Sequence, residues 1–472
     1  MCRRMLDLKK NLITPICHTH PIRAELELNW YGRQMFEEKW DDTRPGVLPI
    51  VSLPHQDFID GFGVYRNSYR SLMGFYSILA GLSESERKRP GSIFPIVLGP
   101  HASDFGDVIK ALRTMEHLDE GMEMEVNGKM VRLCAYTMCY IGDMPQMAEN
   151  SGLKGPRAKK FCRCCYTFSG QKAVDPEIIL KVDLLKHGRF HTQMEEMQHY
   201  MATLSDVNAK RYGTQWGMVN SNPPLVSLSP ALDLVLSRPL DPAHSEYNGL
   251  GNLMHFLLRD GILTKAAQME YGMELRAWPF PPGARPLMST VHHLASYKMS
   301  HHALWIVVVP AFLLSWLKKS HIKKSFYDKA LAETGKDPVD LLVETTAAIA
   351  KSTTLLMGRK MSGEDRQGMY DIIYRARVLF NQLCIFAANT SLARSTAPSQ
   401  AGSRAGSRAG SVVLQGAESV AEAGDDGVCS NLQYINDTLR PNIHVGIHYP
   451  AFAEEYALPV NCNTLTGENL HR

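Results

Sequence analysis

The chain has 472 residues, 44% of them hydrophobic and 21% charged, which excludes one small domain and suits a globular protein of two or three. A formal net charge of +3 neither demands nor excludes a nucleic-acid partner, so local clustering has to decide. The 10 cysteines lack the even spacing of a secreted disulfide scaffold. Three of them crowd into Cys162, Cys164 and Cys165, as expected of an intracellular protein with one metal knuckle and several buried free thiols.

Residues 1–46 read as an irregular lead-in. The opening MCRRMLDLKKNL has no apolar h-region, so no signal peptide is expected. Cys17, His18 and His20 find no nearby residue to complete a metal site and read as surface polar groups. From Val47 to Phe62 the pattern is β-like and ends at a Gly-containing turn. Ser71–Ala80 is a second apolar strand. Ser92–Leu98 is a third, and its Pro95 suggests an edge or a short strand. Asp104–Leu118 carries Phe105, Val108, Ile109, Leu112 and Met115 at helical spacing, with Ser103 or Asp104 as N-cap. Met122–Arg132 predicts a hairpin turning at Asn127-Gly128. Its second arm continues as a buried strand, Val131–Ile141, and stops at Gly142-Asp143, where Pro145 opens a helix.

From about Asp175 to Thr390 the pattern is helical, with helices expected over Ile178–Leu185, Gln193–Leu204, Tyr247–Leu258, Leu304–Leu317, Pro338–Met357 and Arg366–Ala388. The longest apolar run, Ala303–Leu317, is interrupted by Pro310 and is shorter than the roughly 20 residues of a membrane span. It reads as a buried helix, and no membrane partner is expected. Residues 394–426 combine Ala-Gly-Ser-Arg repeats with an acidic Ala-rich stretch, a flexible segment unable to bury a core. Ordered character returns at Cys429. Leaving the first hairpin arm aside, strand, strand, strand, helix, strand, helix is the element order of an RNase H-like core. The expected class is therefore α/β, a mixed-sheet RNase H-like core interrupted by a large α-helical insertion. The boundaries are a lead-in at 1–46, the first part of the core with its CxxC knuckle at 47–170, the insertion at 171–393, a low-complexity segment at 394–428 and a return to the core at 429–472.

Two acids sit where strands end. Asp60, followed by Gly61, offers a carboxylate with room for a metal or phosphate, although a turn-forming Asp before Gly looks the same. Asp143 follows an apolar strand and precedes a proline-started helix, which equally describes an N-cap. Cys162 and Cys165 form a C-x-x-C, half of a tetrahedral zinc site. His444 and His448 are four apart, which on a helix puts both imidazoles on one face. The four together would make a structural Cys₂His₂ zinc site across the helical insertion. Glu468 lies 20 residues beyond His448, in the first turn of any helix starting near Thr466, where acids also favour the helix dipole. Three such acids could hold the two divalent ions, Mg²⁺ or Mn²⁺, that phosphoryl transfer on DNA requires.

At these residues the sequence resembles the DDE transposases of the CACTA (En/Spm) group and of the related Kyakuja–Dileera–Zisupton elements, fungal members among them. The resemblance is carried by Asp60-Gly61-Phe62, Gly142-Asp143-Met144-Pro145, the Gly-Leu-Lys-Gly-Pro stretch before Cys162, and Gly467-Glu468-Asn469-Leu470-His471-Arg472. It runs from about Pro49 to the last residue, apart from the low-complexity insert. The order Asp, C-x-x-C, spaced His pair, Glu is also similar to the catalytic subunit of the V(D)J recombinase. The resemblance implies a nuclear enzyme acting on transposon ends and target DNA, by metal-dependent strand cleavage followed by attack of the freed 3′-OH. It implies Asp60, Asp143 and Glu468 as metal-binding acids and Cys162, Cys165, His444 and His448 as zinc ligands. Glu246, in the family-like string Asp241-Pro242-Ala243-His244-Ser245-Glu246, is the reserve third acid. DNA contacts are expected at Lys154, Arg157, Lys159, Lys160 and Arg163, with Lys318, Lys319, Lys323 and Lys324 as a second cluster that equally suits a solvated surface. Self-association stays open. The chain ends four residues after Glu468, too few for a stable helix. The alternative is therefore a truncated, non-catalytic DNA-binding relic that keeps the fold and the zinc.

Overall fold

The computed structural model describes residues 48–63, 71–99, 105–112, 121–167, 179–219, 223, 225, 232–392 and 429–465. The expected lead-in, the low-complexity segment and Glu468 lie outside these residues, as do Ser103 and Asp104.

Strands β1 (Ile50–Gly63), β2 (Ser71–Leu79), β3 (Ile93–Gly99), β4 (Met122–Val126) and β5 (Lys129–Ile141) form a five-stranded mixed sheet in the order β3-β2-β1-β5-β4. β1 pairs antiparallel with β2 and parallel with β5. Pro54 lies inside this central strand without an N–H to donate, and the β1/β5 register slips just beyond it, between His55 and Gln56. β3, with Pro95, is an edge strand as its sequence predicts. Asn127 (φ 52°) and Gly128 (φ 75°) are both left-handed, the turn that matches the twist of a two-residue hairpin between β4 and β5.

The sheet is covered on both faces. On one, Phe58, Tyr76, Ile78, Cys139 and Ile141 pack with Phe161, Cys162 and Tyr449. On the other, Ile59, Phe75 and Tyr140 pack with Ile109 and Leu112, from helix α1 (Phe105–Ala111) and the residue following it, and with Met147 of α2 (Met144–Asn150). This two-sided burial explains why Phe58-Ile59 and Cys139-Tyr140-Ile141 are continuous apolar runs rather than alternating ones.

Helices dominate from there onward: α3 (His191–Thr203), α4 (Asp206–Trp216), α5 (Lys265–Ala277), α6 (Met299–Trp316), α7 (Lys324–Thr334), α8 (Pro338–Met357), α9 (Met369–Leu392), α10 (Cys429–Thr438) and α11 (Tyr449–Tyr456). Two expectations need correction. Only Leu184–His187 is helical within or beside Ile178–Leu185; Ile179 and Leu180 are apolar because that turn is buried. The expected Tyr247–Leu258 helix starts earlier and is π-helical over Ala243–Gly251 and Leu257–Ile262. The buried helix expected over Leu304–Leu317 is present as α6, with Pro310 inside it. A helical proline costs roughly 3 kcal/mol, but burying Trp305, Ile306, Val309, Phe312 and Leu313 returns about 1.5–3 kcal/mol for each large side chain. By length and composition this helix could cross a membrane. Here it packs in the main helical core beside Leu342 of α8 and Phe380 of α9, with Val307 and Leu314 exposed.

Candidate functional site

The β1/β5 register pairs Phe58 with Ile141. Asp60 and Asp143 each lie two residues further on; Asp143 follows the end of β5, whereas Asp60, expected at a strand's end, lies inside β1, which runs on to Gly63 and pairs Asp60 with Gly74 of β2. The backbones crowd there: a Cβ on Gly142 would lie 2.7 Å from the Ile59 carbonyl oxygen, so only glycine fits. Asp143 caps α2, its Oδ1 accepting from the Gln146 N–H at 2.7 Å. The cap and this part of β1 are neighbours, since a Cβ on Gly61 would sit 4.0 Å from Gln146 Oε1. Asp60 is partly exposed, and its charge adds to burial in raising the Tyr76 phenol above its ordinary value. Asp143 is thus an N-cap as well as a site candidate, and one of its oxygens is already engaged.

The thiol pair and the imidazole pair meet. Ligand atoms of Cys162, Cys165, His444 and His448 all lie within 4.8 Å of one another, and all four residues are buried. His448 Nε2 is 3.3 Å from Cys162 Sγ, His444 Nε2 is 3.2 Å from Cys165 Sγ, and the two Nε2 atoms are 3.1 Å apart. Zn–S and Zn–N bonds of about 2.3 and 2.0–2.1 Å at tetrahedral angles separate ligand atoms by roughly 3.3–3.8 Å, close to these values. The chain presents the imidazoles on a continuous helical path from Pro441–His444 through the 3₁₀ turn Val445–His448 into α11. Gly446 between them is obligatory, because a Cβ there would fall 2.1 Å from Nε of the buried Arg377.

The surroundings fix the donors. His444 Nδ1–H donates to the Ile179 carbonyl at 2.6 Å, which leaves the Nε2 lone pair facing the cluster. Two imidazole nitrogens facing each other need a proton or a cation between them. The Cys162 thiol is opposed by burial, but hydrogen bonds from Cys164 and Cys165 and the two imidazoles outweigh it and hold it well below the ordinary value. Burial, then the Cys162 sulfur, pushes Cys165 up. Burial lowers His448, favouring the neutral ligating form. These donors fit a structural zinc ion. Cys164 is buried beside the site and gives its N–H to Cys162 Sγ.

Some expected residues fall elsewhere. Arg163, expected to touch DNA, is buried and donates to the carbonyls of Arg238 and Pro239 at 3.0 and 3.2 Å. Lys323, in the second basic cluster, donates to the Asp260 and Gly261 carbonyls. Glu246 is fully buried, its Oε1 2.5 Å from the Arg377 guanidinium, so the reserve acid is occupied by a buried ion pair. Arg157 and Lys159 are exposed, Lys154 and Lys160 partly so. No local pattern pointed to Arg189, which donates from Nε to the carbonyls of Cys162 (2.9 Å) and Cys165 (3.2 Å) and from a terminal nitrogen to the Trp216 carbonyl (3.0 Å). Nor did any reveal that Asp241 would hold Thr464, whose Oγ1 donates to it at 2.7 Å, four residues before Glu468. No protein-family model and no curated protein matches the chain.

Proposed function

We propose that this chain is the catalytic core of a DDE-type DNA transposase with an RNase H-like core and a helical insertion, cutting and joining DNA strands in the nucleus. The observation that carries the reading is the parallel β1/β5 register, whose last pair, Phe58 and Ile141, stands two residues before Asp60 and Asp143 on neighbouring strands. The sheet order supports it. With the β4 arm set aside, three antiparallel strands are followed, through a helix, by a fourth strand parallel to the first, the connectivity of RNase H-like cores. The Cys/His cluster, joining the stretch after β5 to the last helices, is where the resemblance implies a zinc clamp.

In this reading Asp60 and Asp143, with Glu468 as third acid, would hold Mg²⁺ or Mn²⁺. When bound, such ions lower the pKa of an attacking water and offset charge on the leaving oxygen. The residues of the chain supply position. The Gly142 backbone lets the end of β5 approach β1 at Ile59, the Asp143 cap fixes one carboxylate, and Asp241 anchors Thr464 just ahead of Glu468. The test is nicking of supercoiled DNA with Mg²⁺ or Mn²⁺ by wild type, Asp60→Asn and Asp143→Ala. Loss of metal-dependent nicking in both variants is expected. Equal nicking by wild type and Asp143→Ala would remove the catalytic claim. A wild type that binds DNA without cutting it would favour the non-catalytic relic.

A further inference from the structure

Helix α4 carries an unusual stripe. Val207, Lys210, Arg211, Thr214 and Gln215 recur at the spacing that puts residues on one helix face. That face is exposed rather than packed in a core. It borders a trough of about 720 Å³ whose other wall is Lys159, Lys160 and Trp216. The residues lining the trough include four cations and no acid. A merely solvated face ordinarily mixes both signs.

The trough is also held in shape. Lys160 Nζ lies 4.7 Å from the Trp216 ring centroid and 5.0 Å from that of Tyr166. Lys154 Nζ donates to Thr214 Oγ1 at 2.8 Å, tying the loop to the helix. Arg189, stacked 4.3 Å from the Tyr166 ring centroid, bonds the Trp216 carbonyl to those of Cys162 and Cys165, so the trough shares a rivet with the metal cluster. A row of cations, one of them seated over the aromatic wall, suits a repeating phosphate chain better than a single small anion.

We infer that this trough is a binding site for the phosphodiester backbone of nucleic acid, with Lys159, Lys160, Lys210 and Arg211 as its phosphate contacts. The site rests on the reading of the chain as a DNA-acting protein, but not on the cleavage chemistry at Asp60 and Asp143. Contact with phosphates alone makes binding indifferent to sequence and steeply salt-dependent.

The experiment is a fluorescence-anisotropy titration of the full chain with a short labelled DNA duplex over a range of salt. It compares wild type, Lys210→Ala/Arg211→Ala, Lys210→Glu/Arg211→Glu and, as a control of equal charge at exposed positions of α5, Lys265→Ala/Arg276→Ala. Both α4 variants alter exposed side chains, and unchanged thermal melting confirms their fold. Each lost phosphate contact lowers the log–log salt slope by about 0.9, so the alanine pair should flatten it by about 1.8 and weaken binding about tenfold or more. The control should change neither. Wild-type affinity and slope in the α4 variants would overturn the inference, as would no duplex binding by wild type or stronger competition by polyglutamate than by unlabelled duplex. Binding that falls in the α4 variants of a chain that never nicks DNA keeps the trough and removes the nuclease reading. Nicking that needs Asp143, with unchanged α4 binding, does the reverse.

Discussion

Replacing Cys165 with serine keeps the shape of the residue but removes one thiolate from the Cys/His cluster. All four ligand residues are 2% exposed or less, so water cannot substitute for an ion there. An ion that binds only the folded chain adds about 4 kcal/mol when free metal is about 1,000 times its dissociation constant. At about 2–4 °C per kcal/mol for a cooperative unit of roughly 200 residues, stripping it should lower Tm by about 8–16 °C. The assay pairs metal analysis of the purified chain with melting curves before and after a zinc chelator. Wild type should carry about one zinc per chain and show the drop. Cys165→Ser should carry little zinc, melt near the stripped wild type and ignore the chelator. A wild type that purifies without metal and melts at the same temperature with and without chelator would refute the reasoning, as would unchanged zinc content in the variant.

Three other perturbations follow from the packing. Gly446→Ala drives a methyl group into the Arg377 guanidinium, so it should cost about 1–3 kcal/mol and reduce zinc retention, read by denaturant unfolding and metal analysis. Glu246→Ala leaves Arg377 as a buried, uncompensated charge and should cost about 3–5 kcal/mol; Glu246→Gln/Arg377→Met should recover much of that, measured in a double-mutant cycle. Asp57 is fully buried, and burial raises its carboxyl above the ordinary 3.8 despite His55 and the Thr137 hydroxyl. Its folded pKa is the higher one, so as pH rises from 3.8 to that value the unfolded chain ionises first and wild type loses stability. Asp57→Asn should therefore gain on wild type across that window and show no gain below it, checked by urea unfolding from acid to neutral pH.

What the sequence revealed depended on how local each signal was. The Asn127-Gly128 turn, the edge proline of β3 and the two-sided strands were legible because each is set by neighbouring residues. The four cluster ligands were legible although remote, because few residue types bind metal and their C-x-x-C and H-x-x-x-H spacings are distinctive. Arg163 was misleading: its neighbours make a basic run, but two carbonyls that arrive from residues 238 and 239 draw its head inside. Glu246 looked like a spare acid until its partner, 131 residues away, was known. The π-helical stretch has no signature among neighbouring residues, and its glycines answer to distant partners. A Cβ on Gly249 would lie 2.6 Å from Asn442, and one on Gly251 would lie 2.4 Å from Ile306 of α6.

The clamp also imposes an order in time. His444 follows Cys165 by 279 residues, and a ribosome adding about 5–20 residues per second needs about 15–55 s to make them. Through that interval the nascent polypeptide holds two sulfurs whose nitrogen partners have not yet been synthesised. Closure of the knuckle therefore trails synthesis of its first half, and the early thiols have to stay reduced until the imidazoles arrive.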